Sequence, residues 1–421
     1  MNNFEWIPYL YAVLWTCAFY FYWKSCGKKI NAGCVVLGVW MISAWAGAWY
    51  ENNLIFEHIH KITLTPYLYL FSFSFLLCIP VLQNHTEKIK EIKANEHLID
   101  ICIYAIALIN VLPFAENLIH FIKGFAGGQI FDLDAFNAKY EEGQIDTYFM
   151  SRIGQICEQL ADALRLLALV VFFHYFRRPT ELRSRKLLLC LLITVCNIVL
   201  MGINSGSRNT LFTYIVTSVL IYVIFSKFYS EQIKKRIKKI ALFFVASVVA
   251  LFSIISIVRF DELSSTNSDA KSLGQWLAAY AGESHGIFNA DTWYLNENEY
   301  KNCDFVKYFY LYKTFGIIDK PHARTPYSQK FVQKNVQFST VIGTYYTNYG
   351  IEFTTCASII VFLIFSSLLK TKSEMYLSDI LFFVYYAKIP LLGFSIFCYM
   401  FDGWQLLLVP LMVIYLKMNK S

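Results

Sequence analysis

Apolar stretches of about 20 residues, divided by short polar segments, form the dominant pattern along this chain. A helix of about 20 residues crosses the ~30 Å hydrocarbon core of a bilayer. The strict alternation over about ten residues that marks a membrane β-barrel is absent. The pattern therefore predicts an all-α, polytopic integral membrane protein with about eleven transmembrane helices. The stretches are 5–23, 32–50, 64–83, 97–115, 153–176, 187–205, 210–227, 240–258, 349–369, 378–398 and 401–417.

The composition agrees with this pattern. Of the 421 residues, 57% are hydrophobic and only 16% are charged, whereas soluble proteins carry about 25% charged residues. Cores that held 37 Phe, 29 Tyr and 9 Trp would lack the polar surface to cover them, which excludes a soluble enzyme. The first stretch follows Met-Asn-Asn-Phe-Glu and has no small-residue cleavage site, so we expect a retained helix instead of a signal peptide.

The basic residues predict an orientation. More than half of the 37 Lys and Arg residues lie in alternate connecting segments, and an external N-terminus places all these segments in the cytoplasm. The segment 116–152, with six acidic and three basic residues, then lies outside. We therefore expect a cytoplasmic C-terminus, and the net charge of +7 reflects membrane orientation and no nucleic-acid partner. The basic segments are 24–29, 88–93, 177–186, 227–239, 370–372 and 417–420.

A second predicted external segment, 259–348, is unusually long. Loops longer than about 15 residues are mostly functional or disordered, and this one contains too many aromatic residues for disorder. Its stretches 270–281 and 303–316 are amphipathic, so we expect short helices that lie on the outer membrane interface. The predicted organisation is transmembrane helices in 1–258, a large external loop over 259–348, and further transmembrane helices in 349–421.

Other sequence signals are weak. We find no internal repeat and no paired set of broken helices of the kind that marks a transporter site. The eleven cysteines lie mostly inside apolar stretches, without a CxxC pair or a Cys/His cluster of zinc spacing. We interpret them as small apolar side chains, and we expect neither disulfides nor a metal.

Two arginines lie at predicted external helix ends. Arg208 follows the turn Ser205-Gly206-Ser207 at the start of the seventh stretch, where free backbone N–H groups and the helix dipole favour an anion. Arg259 directly follows the eighth stretch. Since guanidinium groups fit phosphate, the pair is a candidate diphosphate clamp. The alternatives are arginines that extend to lipid headgroups, or an ion pair between Arg259 and Asp261.

The long external segment carries two candidate acid–base groups. Glu283 and His285 form a close acid–imidazole pair on the predicted outer face, and either could act as a general base or bind sugar hydroxyls. The alternative is a capped loop beside a helix end. His322 and Arg324 form a second candidate group, with a simple turn between two prolines as its alternative.

Two further polar groups border predicted helices. The segment 337–350 mixes hydroxyl and aromatic side chains, which suits a carbohydrate or an ordinary aromatic belt at the membrane surface. Glu158, Asp162 and Arg165 share one face of the fifth stretch, because their spacing follows the helical repeat. Either Asp162 pairs with Arg165, or these residues form a polar wall of an external cleft.

These features together resemble the bacterial Wzy-type O-antigen polymerases, also called oligosaccharide repeat-unit polymerases. The resemblance covers nearly the whole chain as architecture. Its specific motifs are the Arg after a Ser-Gly-Ser turn at 205–210, the Arg that opens a large external loop at 257–261, and the Thr-Tyr-Tyr and Tyr-Gly segment at 338–350. The resemblance implies a GT-C-like fold of the O-antigen ligase–polymerase type with a large helical periplasmic loop.

The resemblance also implies an activity. It is that of a glycosyltransferase of the bacterial inner membrane, which polymerises undecaprenyl-diphosphate-linked oligosaccharides into O-antigen, capsular polysaccharide or exopolysaccharide at the periplasmic face. Membrane lipids and a chain-length regulator protein are the other implied partners, and no cofactor is implied. The implied catalytic residues are Glu283 and His285. The implied diphosphate-binding residues are Arg208, Arg259 and Arg324, and the implied glycan-binding residues are Ser207, Asn209, Thr344, Tyr345, Tyr349, Glu158 and Asp162.

Three other functions remain open from the sequence. An O-antigen ligase, which transfers finished glycan to lipid A–core, also uses external arginines and a loop histidine. A lipid-linked glycan flippase or transporter predicts internal repeats and many ionisable groups in the middle of helices. A membrane acyltransferase predicts an intramembrane histidine, and His174 lies at the predicted cytoplasmic end of its helix, where it suits such an enzyme poorly.

Overall fold

The computed structural model describes residues 6–53, 60–126, 150–204, 208–239, 273–294, 340–370, 372–395 and 403–419. The chain is predominantly helical. The helices are α1 (Ile7–Ser25), α2 (Ala32–Glu51), α3 (Leu64–Leu82), α4 (Glu96–Ala126), α5 (Arg152–Tyr175), α6 (Arg185–Asn204), α7 (Arg208–Phe225), α8 (Leu273–Ile287), α9 (Val341–Leu368), α10 (Leu377–Leu392) and α11 (Gly403–Met418). The strands are β1 (Glu91–Lys93) and β2 (Glu374–Tyr376).

Six of the described helices are long and apolar enough to cross a membrane: α2, α3, α4, α6, α7 and the C-terminal part of α9. The prediction of an all-α membrane protein is therefore confirmed at this level. Each predicted stretch overlaps a helix except for 240–258, which lies outside the described residues. Helix α4 continues eleven residues beyond the stretch 97–115, and α9 begins eight residues before the stretch 349–369. The cysteines within the described residues form no disulfide.

The chain divides into two compact units whose segments alternate along the sequence. Unit 1 comprises residues 1–89, 269–373 and 383–403, and unit 2 comprises residues 90–268, 374–382 and 404–421. The predicted organisation followed the chain order, with one loop between two groups of helices. In the structure, the described parts of that loop instead belong to unit 1 together with α1, α2 and α3.

In unit 1, a tight turn joins α1 to α2. Gly27 and Lys28 both take the left-handed backbone conformation, with φ of 63° and 61°. Asn31 then caps α2, because its side chain accepts a hydrogen bond from the backbone N–H of Cys34. Below the turn, the buried rings of Trp15 and Trp40 stack with a centroid separation of 4.6 Å.

Helix α8 packs against α2 through two glycines. A Cβ atom on Gly282 would overlap the backbone of Gly47, and one on Gly47 would lie 2.8 Å from the carbonyl oxygen of Gly282. Small residues permit this close approach of two helices in a membrane protein. The expected amphipathic helix at 270–281 thus corresponds to α8, but it packs inside unit 1 instead of lying alone at the interface. The expected helix at 303–316 lies outside the described residues.

Unit 1 also contains interrupted helical structure, which the sequence did not predict. After α8, a π-helical turn spans Phe288–Thr292 and is held by Asn289, whose amide bonds both the N–H and the C=O of Thr63 at 2.9 and 2.7 Å. Helix α9 is interrupted at Gly350, whose backbone has φ 80° and ψ 177°. Because these angles are left-handed in φ, glycine suits this position best.

Unit 2 is built on packed helices and a short parallel pair of strands, β1 with β2. Glu374 forms an ion pair with Lys93 there and raises the pKa of the lysine above its ordinary value. Just after the C-terminal end of α5, Arg178 is buried and binds the carboxylates of Glu96 and Asp100 on α4. This arrangement fixes the end of α5 to the start of α4.

Candidate functional site

The residues predicted to carry chemistry gather in two places, one in each unit. In unit 1, α8 presents Glu283 and His285 next to α1 and α2. In unit 2, Glu158 of α5 joins a series of asparagines on α4 and α6.

His285 is a buried histidine with both ring nitrogens engaged. Its side chain is enclosed by Tyr11 and Trp40, with ring centroids 5.3 and 5.7 Å away. The hydroxyl of Ser43 donates its one proton to the carbonyl oxygen of Ala281 at 2.6 Å, so it accepts a hydrogen bond from Nε2 of His285 at 2.8 Å. The imidazole therefore carries its proton on Nε2.

The other ring nitrogen completes this neutral arrangement. Nδ1 of His285 lies 3.3 Å from the hydroxyl of Tyr11 and accepts a hydrogen bond from it. Both nitrogens thus bind the protein, and in this conformation neither is left for a substrate hydroxyl. His285 anchors α8 to α1 and α2. Glu283, two residues earlier on α8, is only half-buried and is the more accessible member of the predicted pair.

Aromatic rings surround the beginning of α9 near α8. Trp293 and Tyr346 stack with a centroid separation of 5.6 Å, and the hydroxyl of Tyr346 donates to the carbonyl oxygen of Trp293 at 3.1 Å. Tyr69 of α3 lies against the same two rings. The segment 337–350, predicted to line a carbohydrate, therefore enters the fold through an aromatic cluster.

The hydroxyl groups of Thr340 and Thr344, both in that segment, hydrogen-bond backbone groups. Thr340 caps α9 by accepting a hydrogen bond from the N–H of Gly343 at 2.9 Å. Thr344 is buried and donates to the carbonyl oxygen of Thr340 at 3.0 Å, whereas Tyr345 is half-buried. The first turn of α9 thus uses its own hydroxyl groups to satisfy backbone groups.

In unit 2, polar side chains form a hydrogen-bonded series that we call the amide chain: Asn204, Asn117, Asn197, Asn110 and Glu158. All of them are buried except Asn204, which is half-buried. Asn204 donates to Oδ1 of Asn117 at 3.0 Å, and Asn117 donates to Oδ1 of Asn197 at 2.9 Å. Asn197 then donates to Oε2 of Glu158 at 2.8 Å and to Oδ1 of Asn110 at 3.1 Å.

The direction of these bonds has an electrostatic consequence. From Asn204 to Glu158, each amide donates toward the carboxylate, so the bond dipoles add along the series. Glu158 is only 3% exposed, and Asn197 is only 1% exposed. Buried carboxylates are costly inside a membrane unless polar groups compensate them, and the amide chain supplies this compensation.

The amide chain ends at the connection that carries Arg208. Asn204 is the last residue of α6, and α7 begins at Arg208. The structure describes the backbones of Arg208 and Asn209 within α7, and Ser207 lies outside the described residues. A polar series inside the bundle therefore leads to the helix start at which the sequence predicts anion binding.

The other predicted residues fall into two groups. Asp162 forms an ion pair with Arg165, which was the alternative to a wall of an external cleft, and its backbone carbonyl accepts from Gln405 at 2.9 Å. Tyr349 lies within α9, where the structure describes its backbone. Arg259 and Arg324 lie outside the described residues, together with His322 and Asp261.

Sequence reasoning missed the asparagines and the partners of His285. Asn110 and Asn117 are seven residues apart on α4, and Asn197 and Asn204 are seven apart on α6. This spacing places each pair on one helix face, so polar residues at heptad spacing inside apolar stretches were an available signal. Ser43 offered no comparable signal, because it is a single hydroxyl in an apolar helix.

Comparisons with known proteins assign no family to this chain. The chain matches no family model, no curated protein and no solved structure.

Proposed function

We propose that this protein is a repeat-unit polymerase, a glycosyltransferase that joins undecaprenyl-diphosphate-linked oligosaccharides at the periplasmic face of a bacterial inner membrane. The observation that carries the proposal is the amide chain that ends at Asn204, four residues before the motif arginine at the start of α7. A buried polar series next to a cationic helix start suits a lipid-linked substrate with a charged diphosphate and a polar glycan.

The proposed reaction needs no metal. A hydroxyl at the non-reducing end of one lipid-linked repeat unit attacks the anomeric carbon of the other glycan. The new glycosidic C–O bond forms as the C–O bond to the diphosphate breaks, and undecaprenyl diphosphate leaves with the electron pair. Arg208 and Arg259 neutralise the negative charge that grows on this leaving group, with Arg324 as a further cation.

The acceptor hydroxyl loses its proton to a protein base in this scheme. Glu283 is the better candidate, since it is half-buried whereas both ring nitrogens of His285 bind Ser43 and Tyr11. His285 would then be a positioning residue that holds α8. The hydroxyl and aromatic groups of Thr344, Tyr345 and Tyr349 remain candidates for glycan contacts, as do Ser207 and Asn209.

A second candidate is a lipid-linked glycan flippase or transporter. The interruption of α9 at Gly350 and the π-helical turn after α8 favour it, because interrupted helices are common at transporter sites. An O-antigen ligase is the third candidate, and its chemistry would use the same arginines. The motif at 205–210 directly follows the polar end of α6, which favours either glycosyltransferase over the flippase. The overall resemblance of the chain favours the polymerase over the ligase.

A genetic experiment separates these candidates. The chromosomal copy is deleted, the strain is complemented with Arg208→Ala or Arg259→Ala, and surface and lipid-linked glycans are resolved on gels. We expect single repeat units in place of a ladder. Arg185→Ala is the matched control, since Arg185 is an exposed arginine at the start of α6 in a basic segment.

Each alternative gives its own pattern at normal expression. Polymer that accumulates on undecaprenyl diphosphate, without transfer to lipid A–core, indicates a ligase. Repeat units that stay lipid-linked, with no glycan at the surface, indicate a flippase. A normal ladder in both arginine variants contradicts the proposed diphosphate clamp.

A further inference from the structure

Three metal-ligating side chains from distant parts of the sequence meet where the α1–α2 turn lies against the end of α3. Cys26 ends α1, and His85 and Glu87 follow α3, all within unit 1. We propose that Cys26, His85 and Glu87 bind one divalent metal ion of the zinc class. This inference is independent of the proposed glycosyltransferase activity.

The distances suit a common metal ion. The ligand atoms of the three residues all lie within 4.8 Å of one another, and Nδ1 of His85 is 3.1 Å from Oε1 of Glu87. Zinc bonds of about 2.0–2.3 Å in tetrahedral geometry separate ligand atoms by roughly 3.3–3.7 Å. Small side-chain rotations therefore bring the three atoms onto one ion.

His85 provides a second observation that points to a ligand. Its Nδ1 atom is buried, yet it makes no hydrogen bond within the described residues. Oε1 of Glu87 lies at ion-pair distance from Nδ1, but the two atoms do not form a hydrogen bond. With its proton on Nε2, His85 offers the Nδ1 lone pair to a cation that Glu87 binds as well.

Asn31 hydrogen-bonds two of the three proposed ligands. It is 1% exposed, and its amide nitrogen lies 3.3 Å from Sγ of Cys26 and 3.0 Å from Oε2 of Glu87. Its Oδ1 is fixed in turn by the backbone N–H of Cys34 at 3.0 Å. Hydrogen bonds of this kind orient metal ligands and tune their affinity.

The ligand set indicates the class of metal. A thiolate and an imidazole are poor ligands for Mg²⁺ or Ca²⁺, which prefer oxygen atoms only. Zinc accepts sulfur, nitrogen and oxygen together, and a set of three protein ligands leaves a fourth position for water. A bound ion would join the α1–α2 turn to the end of α3.

The test is a cobalt titration of the full-length protein in detergent after treatment with a chelator. Cobalt replaces zinc and gives a thiolate-to-metal charge-transfer absorption when sulfur is a ligand. We expect saturation at about one ion per chain, loss of the band in Cys26→Ser, and displacement of cobalt by zinc. His85→Gln and Glu87→Gln should each weaken binding at least 10-fold, and Asn31→Ala about 10-fold.

Cys34→Ser is the matched control, because Cys34 is a buried cysteine in the same region that is not among the three ligands. It should keep the band and the affinity of the wild type. If Cys26→Ser does not fold, His85→Gln and Glu87→Gln decide the matter, because an affinity that is unchanged in both variants would overturn the proposal. No charge-transfer band at saturating cobalt, or a band that depends on Cys34 and not on Cys26, would overturn the proposal.

Discussion

Asn197 is the residue on which the buried polar series of unit 2 depends. Its amide donates to both Glu158 and Asn110, and its carbonyl oxygen accepts from Asn117. Each of these partners is buried. A buried polar group that loses its partner destabilises a protein by about 1–3 kcal/mol, so the cost of losing Asn197 falls on several groups at once.

We predict that Asn197→Leu lowers the free energy of unfolding by about 2–4 kcal/mol, because it leaves the Glu158 carboxylate and the Asn117 amide without these bonds at similar side-chain volume. Denaturant titration of the purified protein in detergent measures the change. Thr194→Val is the control one turn away, since the Thr194 hydroxyl bonds only the carbonyl oxygen of Cys190 on its own helix. If the two variants are equally stable, the amide chain does not stabilise the bundle.

The same scale shows what a single sequence can reveal about a site. Glu158, Asp162 and Arg165 were recognisable because their helical spacing placed ionisable groups on one face, and the ion pair between Asp162 and Arg165 was among the predicted outcomes. Cys26, His85 and Glu87 were not recognisable. Their proximity follows from a tight turn and the packing of α3, and neither leaves a pattern in residue spacing.

At the scale of elements, the glycine contact between α2 and α8 decides how α8 packs. Gly47 and Gly282 lie where the two backbones meet, and Ser43 and His285 hydrogen-bond beside them. Larger side chains at either glycine would separate the helices and break this bond. The buried position of His285 therefore depends on two residues without side chains.

We predict that Gly282→Ala destabilises the protein by about 1–3 kcal/mol or more, because the new methyl group overlaps the backbone of Gly47. Thermal unfolding in detergent measures the loss. Gly38→Ala on α2 is the control, since its Cβ would meet only Phe19 at 3.7 Å, an ordinary contact, and alanine is the better helix former. Equal melting temperatures for the two variants would contradict the close packing of α8 on α2.

Hydropathy predicted most helices of this chain but not the irregular ones. The apolar stretches from 32–50 to 210–227 match helices within about two residues, except that α4 continues from 115 to Ala126. The sequence did not predict that α8 packs against another helix, because α8 is short and moderately polar. The start of α9 at Val341 was missed because its first turn is rich in hydroxyl groups, and the interruption at Gly350 depends on a backbone conformation.

At the scale of the whole molecule, the positions of the basic residues and the lengths of the apolar helices both indicate a membrane protein. Basic residues mark alternate connections along the sequence, and six described helices are long and apolar enough to span a bilayer. Few ionisable groups lie in the middle of the described helices, and those with described partners, such as Glu158, Asp162 and Arg165, are engaged by protein groups. The motif arginines are therefore the best candidates for a charged lipid substrate.

The most direct test of polymerase activity uses the purified protein in lipid vesicles with undecaprenyl-diphosphate-linked repeat units as the only glycan. The products are separated by length, and the release of undecaprenyl diphosphate is measured. We predict a ladder of products from the wild type and from Arg185→Ala, and a rate about 100-fold lower for Arg208→Ala, because a leaving-group cation is lost. Wild-type protein that binds this lipid and forms nothing longer than one repeat unit would contradict the account.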